Sequence, residues 1–525
     1  MLARLRTPES RSRLDRLVLA GLVALAAALR LVDLRTRGTW DGDQGHDMLV
    51  LRSFVVDGVL PLLGPPTSIG SFHHGALYYY LLSPAAWLTG GDSPLAVVLF
   101  IALGGVAAVA VTWWLARSIG GSIAGLVAGL LMAVSISAID ESTFIWNPNL
   151  IALSSAIALA GAWRAWSTGR ARWWLLAAVG TAVTMQCHVL GVMLLPMIGA
   201  LLVADARRRS GEDRRRVLLA GLGGLAIVAV SYIPLVVHEL TTDFAEVRAA
   251  VEYYESAREP SPFDPVTRTV IVGIRIVTWP LVGLITDAGP VALAALALVL
   301  AVIALRWRGA GTSAGLEAGG ERTAIRWLGL GLLWSTLTLS VAAGSLATVT
   351  IGLPNDHYHA FADPMVFTLV GIGIAAAWRW RPRSGARLGA LVGVIVVVAL
   401  VGWNVTRLPP AVNADGGFPA ARVAAERIGL SVGDRPAVLQ SLPDFKPTDT
   451  YGYPLVLDGR TLTGADRASA LVLLCDNLFE DAIGASCGGP AEEAEVGPSS
   501  RFVELADRWE AAPGRWISVY LARER

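Results

Sequence analysis

Long apolar stretches alternate with short polar ones over most of the chain. A helix needs about 20 mostly apolar residues to cross the hydrocarbon core of a bilayer, and eleven stretches approach that length. They cover residues 17–34, 95–116, 119–139, 148–166, 173–188, 189–205, 217–237, 289–306, 327–350, 363–380 and 388–405. The pattern therefore predicts an all-α polytopic membrane bundle of about eleven transmembrane helices.

The pattern changes after residue 405. Residues 419–428 have helical spacing, whereas 437–442, 470–474 and 516–522 are short apolar runs between turn residues, as is typical of strands. We therefore predict two domains, a transmembrane domain over 1–405 and a small α/β domain over 406–525. Cys475 and Cys487 lie close together in the second domain, and we expect a disulfide if that domain is outside the cytoplasm.

Composition agrees with a membrane protein. Hydrophobic residues make up 54% of the chain and charged residues only 16%, and the mean hydropathy is +0.55. These values exclude a chain built only of ordinary soluble domains. The net charge of +1 hides an uneven distribution, because basic residues are concentrated in some loops, whereas acidic residues and histidines are concentrated in others.

Arginine residues mark every second loop. They follow the second, fourth, sixth, eighth and tenth apolar stretches, as Arg117, Arg164, Arg170, Arg172, Arg207–Arg209, Arg214–Arg216, Arg306, Arg308, Arg322, Arg326, Arg379, Arg381, Arg383 and Arg387. Basic loops stay in the cytoplasm, so we predict a cytoplasmic N-terminus and an extracytoplasmic C-terminal domain.

This topology leaves two large outer loops, residues 35–94 and 238–288. The second loop contains an apolar run, 270–284, which Arg275 and Pro280 interrupt. We predict an interfacial or re-entrant helix there, because a full crossing would place the following arginine-rich loop outside.

The residues suited to chemistry fall on the predicted outer side. All seven histidines lie there, and the first loop opens with an acidic stretch, Trp40–Asp47. A carboxylate partly desolvated beside an apolar bundle has a raised pKa and suits a general base. We predict Asp43 as the base, with Asp41, His46, Asp140 and Glu141 as supports, and we expect a helix to start at Asp47. The alternative interpretation is that these acids are solvated or cap helices.

A second set of side chains offers hydrogen-bond donors to a phosphate group. It consists of His73, His74, Tyr79, Arg275, His357, Tyr358 and His359. For the tyrosines the alternative is an interfacial aromatic belt. The spacing of Asp41 and Asp43 allows a divalent metal ion, but this signal is weak, and we predict a site without metal or other cofactor.

The layout and several short motifs resemble the GT-C superfamily of membrane glycosyltransferases, especially the protein O-mannosyltransferase and aminoarabinose transferase group. The resemblance covers residues 17–405. The motifs are Asp43-Gln44 where the family has Asp-Glu, Leu77-Tyr78-Tyr79, Trp146-Asn147-Pro148, Gln186-x-His188 and His357-Tyr358.

This resemblance implies an inverting glycosyltransferase. Its donor would be a polyprenyl-phosphate sugar, its acceptor a hydroxyl group of a lipid, glycan or protein on the extracytoplasmic face, and its base Asp43. Its other partner would be membrane lipid, not nucleic acid. The alternatives are a polytopic transporter or lipid-glycan flippase and a non-catalytic GT-C-like scaffold. Transporters usually show internal repeats and broken helices at mid-membrane depth, and neither is evident.

Overall fold

The computed structural model describes residues 8–67, 71–257, 262–283, 288–307, 316–348, 356–380, 387–497 and 500–523. The long helices of the N-terminal region are Pro8–Leu31, Pro94–Gly120, Ser122–Val134, Ile151–Thr168, Arg172–Cys187, Leu194–Arg208, Gly211–Ser231, Pro265–Val282, Gly289–Trp307, Leu316–Ala342, Asp363–Arg379 and Leu388–Val405. Shorter helices are Leu34–Arg37, Gly42–Arg52, Leu77–Trp87, Ile136–Asp140, Ile233–Thr241 and Ala245–Glu252, and 3-10 turns cover Asn147–Leu150, Val189–Met193, Gly344–Ala347 and Asp356–Ala362.

The predicted multi-pass helical bundle is confirmed. Eight helices in the described part of the chain are long and apolar enough to cross a membrane, and the bent pair formed by residues 211–231 and 233–241 makes a ninth. Three of the eleven predicted spans fall outside this set. The first helix, Pro8–Leu31, carries several charged residues, and two others, Ser122–Val134 and Arg172–Cys187, have only 13 and 16 residues.

Residues Pro265–Val282, where we predicted an interfacial or re-entrant helix, form one 18-residue helix that is also apolar enough to span. We call it the outer helix. Its hydrogen bonds and ion pairs are with the ends of membrane helices on the side where the first loop lies, at Ser137, Ser340, Asp356 and Asn404. These contacts all lie on one side of the bundle, and the interfacial position of the helix stays a prediction. Arg275, which interrupts the apolar run of this helix, lies buried against Asp356.

The C-terminal region contains a four-stranded sheet. The strand order is Ala437–Leu442, Ala470–Asp476, Arg515–Ala522 and Phe502–Ala512; the first pair is parallel and the other two pairs are antiparallel. Helix Gly417–Val432 packs against the sheet, and helix Asp449–Leu457 packs against Gly417–Val432 and against Gly42–Arg52. Cys475 and Cys487 form the expected disulfide. The strand Phe502–Ala512 was not predicted, because it lies at the edge of the sheet and much of its surface is exposed and polar.

The C-terminal region packs directly on the bundle, and one apolar core contains residues of both. Trp40 of the first loop illustrates the contact, because its ring lies 4.6 Å from Phe418 and its indole nitrogen donates to the carbonyl of Thr450. The division at residue 405 into two domains stays a prediction. The packing nevertheless brings the first loop and the C-terminal region to the same side of the bundle.

Candidate functional site

A cavity of about 80 Å³ lies between the first loop, the bundle and the C-terminal region. Its lining residues are Asp43, His46, Asp47, Pro65, Pro66, His74, Trp146, Asn147, Tyr358 and Pro447. The cavity therefore brings together residues that are more than 300 positions apart. Four of the predicted site residues line it, namely Asp43, His46, His74 and Tyr358.

The first-loop helix, Gly42–Arg52, positions Asp43. Asp41 caps the helix through a capping box in which Gln44 accepts a hydrogen bond from the Asp41 backbone nitrogen at 2.8 Å. The amide nitrogen of Gln44 donates to the carbonyl oxygen of Ile145 at 2.9 Å, and the side chain is buried. An ionised acid at position 44 could not make this second bond, so Gln44 fixes the loop to the bundle.

The helix begins earlier than the sequence indicated. We expected Asp47 to start a helix, but Asp47 lies in the middle of Gly42–Arg52, because the capping box of Asp41 and Gln44 starts the helix at Gly42. Asp43 therefore lies in the first turn, where the helix dipole favours a negative charge.

Asp43 is the accessible acid of the cavity. Its side chain is exposed, but the surrounding protein excludes enough water to raise the pKa of the carboxyl group, and the neighbouring carboxylate of Asp41 raises it further. His46, Lys446 and a hydrogen bond from the Trp146 indole act in the opposite direction. Asp43 thus combines accessibility with an increased affinity for a proton, as a general base requires.

Asp47 lies one helical turn after Asp43 and is buried. Its carboxylate oxygens accept hydrogen bonds from the hydroxyl groups of Tyr78 at 2.7 Å and Tyr79 at 2.8 Å. Burial raises the pKa of Asp47 to about 7 despite these two bonds. The sequence could have indicated this pairing, because Asp43 and Asp47 are four residues apart and a helix places such residues on one face. Tyr79, predicted to contact phosphate, is instead committed to Asp47.

The C-terminal region supplies partners to the first-loop helix. Asp41 pairs with Lys446 at 3.3 Å and with Arg515 at 3.1 Å. The Nδ1 atom of His46 lies 3.0 Å from a carboxylate oxygen of Asp449, and this hydrogen bond raises the pKa of His46. Lys446, Asp449 and Arg515 were not predicted, because no local pattern connects them with residues about 400 positions earlier.

His73 and His74 point in different directions, as successive residues of a strand do, and both lie in the short strand His73–Gly75, which pairs with Leu63–Pro66. The Nδ1 atom of His73 lies 3.0 Å from Glu246 of the second loop, outside the cavity. His74 is buried, and its ring centre lies 4.7 Å from that of His188. Burial lowers the pKa of His74 to about 3, so at neutral pH His74 is uncharged and can only offer a hydrogen bond.

Of the remaining predicted phosphate ligands, Tyr358 lines the cavity, and His357, His359 and Arg275 lie outside its lining. The Tyr358 ring stacks on His188 with centres 4.5 Å apart, and His357 lies 3.9 Å from Trp146. Behind them are buried polar residues that do not line the cavity. Both oxygens of Asp356 accept hydrogen bonds of 2.7 Å from Arg275, and His359 lies 3.5 Å from Asp356.

Asp140 and Glu141 do not line the cavity either. Glu141 is buried and accepts a 2.8 Å hydrogen bond from the indole nitrogen of Trp279 on the outer helix, whereas the Asp140 side chain is exposed. The structure therefore does not bring these two acids into contact with Asp43. Glu141 instead connects the outer helix to the bundle.

Within the described ranges, no group of three or more His, Cys, Asp or Glu side chains is arranged to hold a metal ion. Two of the four acids and histidines that line the cavity have other partners: Asp47 accepts hydrogen bonds from two tyrosines, and His46 pairs with Asp449. The prediction of a site that works without metal stays a prediction.

Comparison with known proteins relates this arrangement to glycosyltransferases. The family profile of dolichyl-phosphate-mannose-protein mannosyltransferases matches residues 73–233, which is less than half of the chain. No curated protein sequence matches the chain.

Solved structures match over a much larger part. ArnT from Cupriavidus metallidurans in the apo state has a TM-score of 0.57 at 14% identity, covering 95% of this chain and 97% of that chain. The same protein bound to undecaprenyl phosphate gives 0.54 at 13% identity with the same coverage. The resemblance found in the sequence motifs is thus confirmed, and with it the GT-C fold and the predicted class, a multi-pass membrane glycosyltransferase.

Proposed function

We propose that the protein transfers a monosaccharide from a polyprenyl-phosphate donor to an acceptor hydroxyl group on the extracytoplasmic face, with inversion at the anomeric carbon. The observation that carries the proposal is the position of Asp43, an accessible carboxylate of raised pKa in a cavity at one end of a GT-C bundle. ArnT, which has the same fold, has been crystallised with undecaprenyl phosphate. This ligand supports a lipid-linked donor for the present chain.

Asp43 acts as the base in the proposed reaction. Its carboxylate takes the proton of the acceptor hydroxyl group while the oxygen attacks the anomeric carbon of the donor sugar. The bond between that carbon and the phosphate oxygen breaks, and polyprenyl phosphate leaves with the bonding electrons. Attack from the face opposite the phosphate inverts the anomeric carbon. General-base catalysis of this kind contributes about 10²–10⁴-fold to a rate.

The structure changes which residues we expect to contact the leaving phosphate. Arg275 is committed to Asp356, and His74 is uncharged at neutral pH. We therefore assign the phosphate contacts to hydrogen bonds from His74, Tyr358 and the more basic His46, which line the cavity. His73, Tyr79, His357 and His359 would act indirectly, because they hold the residues of the cavity wall in place.

The proposed sidedness follows the arginine distribution, with a cytoplasmic N-terminus and the C-terminal region outside. The lipid-linked donor would enter from the membrane, and the acceptor hydroxyl group would enter from the aqueous side. On the extracytoplasmic side the reaction would need no nucleotide-linked sugar, because a membrane lipid carries the donor sugar. The sugar and the acceptor molecule are left to experiment.

A transfer assay tests the proposal. The purified protein in liposomes is incubated with a panel of radiolabelled polyprenyl-phosphate sugars and with a membrane extract as acceptor source, with and without a chelator. We expect one donor to be consumed, and we expect the product to carry the inverted anomeric configuration by NMR. Lipid or glycan flux across the liposome without any transfer would contradict the proposal and favour a flippase or transporter.

A further inference from the structure

A second and larger cavity, of about 310 Å³, lies beside the Asp43 cavity. Four stretches of the chain line it, within residues 34–40, 92–98, 143–145 and 418–422. The two cavities share no lining residue, although Trp40 belongs to this one and the neighbouring Asp41 caps the helix that carries Asp43. We call it the Arg35 cavity.

The charged residues of the Arg35 cavity have unequal partners. Arg35 is exposed and, among the described residues, has no hydrogen-bond or ion-pair partner. Arg422 is half-buried, and one of its guanidinium nitrogens pairs with Asp458 at 2.9 Å. Asp92, the acid in the lining, is already paired with Arg52. The cavity therefore presents a net positive charge, with the whole guanidinium group of Arg35 and the remaining nitrogens of Arg422 available to an anion.

The rest of the lining is mainly apolar and reaches the membrane surface of the bundle. Leu34, Pro94, Leu95 and Val98 contribute to it, and the last three start the long membrane helix Pro94–Gly120. Leu99 and Leu103 follow Leu95 at intervals of four residues and are exposed side chains of the same helix. An apolar stripe thus leads from the cavity along a helix that is long enough to contact lipid.

We propose that the Arg35 cavity binds an anionic phospholipid. The phosphodiester accepts hydrogen bonds from the guanidinium groups of Arg35 and Arg422, which suit the geometry of phosphate oxygens. An acyl chain lies along the stripe that begins at Leu95. A free phosphate ion would use only the cationic part of the cavity, whereas a phospholipid uses both parts. This site does not depend on the glycosyl transfer proposed above.

Native mass spectrometry of the purified full-length protein tests this proposal. The detergent-solubilised protein is titrated separately with phosphatidylglycerol, phosphatidylcholine, polyprenyl phosphate and inorganic phosphate. The variants are Arg35→Gln, the double variant Arg35→Gln/Arg422→Gln, and Arg170→Gln as a control that removes an exposed arginine elsewhere. Melting temperatures show whether each variant is folded. If the double variant does not fold, the single variant Arg35→Gln decides the test.

We expect tighter binding of phosphatidylglycerol than of phosphatidylcholine. A hydrogen bond to a charged group contributes enough for Arg35→Gln to weaken the binding of phosphatidylglycerol by about 10- to 100-fold. Arg170→Gln should bind as the wild type does. A Val98→Trp substitution, which fills the apolar part, should weaken binding of the lipid without removing a charge.

Four outcomes would overturn the proposal. Equal binding of the two phospholipids, or equal effects of Arg35→Gln and Arg170→Gln, would show that the cavity does not recognise the anionic head group. Binding of inorganic phosphate as tight as that of phosphatidylglycerol would remove the role of the acyl chain. Loss of polyprenyl phosphate alone in Arg35→Gln would assign the cavity to the donor.

Discussion

Asp43 and Asp47 lie one turn apart on the same helix, yet their carboxylates have different surroundings. Asp43 is reached by solvent in the cavity, whereas Asp47 is enclosed and bonded to two tyrosine hydroxyl groups. Environments that differ in this way assign different roles to two carboxylates of one site. We interpret Asp43 as the group that exchanges protons with substrate and Asp47 as a group that two tyrosine hydroxyls hold in place behind it.

The raised pKa of Asp47 predicts how stability depends on pH. Its pKa is about 7 in the folded protein against 3.8 as the ordinary value. Between these pH values the folded state holds a proton that the unfolded state has lost, so stability falls as pH rises from about 4 to 7 and is then constant. Over the two pH units between 5 and 7 this one group accounts for about 2 kcal/mol.

The substitution Asp47→Asn removes this dependence. We expect the melting temperature of the variant minus that of the wild type to be larger at pH 8 than at pH 5. Asp57→Asn, which changes an exposed acid of the same loop, should follow the wild type at every pH. If the difference between Asp47→Asn and the wild type is the same at pH 5 and pH 8, the raised pKa is wrong.

Residue types alone pointed to Asp43 and to three other residues that line the cavity, because an acidic stretch after a membrane helix is a local pattern. The partners Lys446, Asp449 and Arg515 could not be found in this way. Their contacts with Asp41 and His46 depend on how the C-terminal region packs on the first loop, and no local spacing encodes that packing.

The first-loop helix and the C-terminal region approach each other closely. A Cβ atom on Gly45 would overlap the carbonyl oxygen of Asp449, and one on Gly42 would lie 2.5 Å from the Cβ of Pro447. Glycine at these two positions lets the backbones meet, which brings Asp449 to His46 and Lys446 to Asp41. The position of Asp43 in the cavity therefore depends on this contact.

Gly45→Ala should separate the two elements. Alanine favours a helix over glycine by about 1 kcal/mol, so helix propensity alone predicts that Gly45→Ala stabilises the protein. The overlap with a backbone carbonyl, which cannot move aside as a side chain can, predicts a loss of stability and faster proteolysis of the C-terminal region. Gly199→Ala is the control, because a Cβ there meets nothing within 4 Å. A Gly45→Ala protein as stable as this control would contradict the contact.

Lys446 joins the same two elements electrostatically. It is buried between Asp41 and Asp476, and Arg515 pairs with both of these acids. Lys446→Met should lower the free energy of unfolding by about 2 kcal/mol, which is less than the loss of a fully buried partner costs, because Arg515 still compensates the acids. Arg467→Met, in an exposed pair, should change it by less than about 1 kcal/mol. Thermal or chemical denaturation distinguishes the two, and equal effects would contradict the role of Lys446.

At the scale of the whole molecule, the two ends of the bundle differ in chemistry. One end holds arginines paired with acids, such as Arg117 with Asp15 and Arg306 with Glu321. The other end holds the histidines, the Asp43 cavity and the C-terminal region. Because the first loop and the C-terminal region touch, an even number of crossings must separate them. The ten predicted spans between residues 95 and 405 satisfy this condition when the outer helix does not cross.

The predicted sidedness can be tested by cysteine labelling. The wild type has one free cysteine, Cys187, which is buried. A membrane-impermeant maleimide should label Ala465→Cys in intact cells and Ser210→Cys only after permeabilisation, since the arginine-rich loop near residue 210 is cytoplasmic in our proposal. Labelling of Ser210→Cys in intact cells would reverse the topology.

The hydropathy pattern predicted the bundle and three strands of the C-terminal sheet, and the interfacial position of the outer helix stays a prediction. It misplaced the start of the first-loop helix, because a capping box outweighed the position of the apolar residues, and it missed the polar edge strand Phe502–Ala512. Predictions from residue type alone were least effective for Arg275 and Glu141. Both are suited to chemistry, but their side chains hold the outer helix in place.

The role of Asp43 as the base is the central claim, and the most direct measurement is the initial rate of sugar transfer by Asp43→Asn. Asp57→Asn serves as the matched control, and both variants are compared with the wild type at equal amounts of folded protein. We predict that Asp43→Asn lowers the rate by about 10²–10⁴-fold and that Asp57→Asn does not change it. Transfer by Asp43→Asn at the wild-type rate would contradict the account.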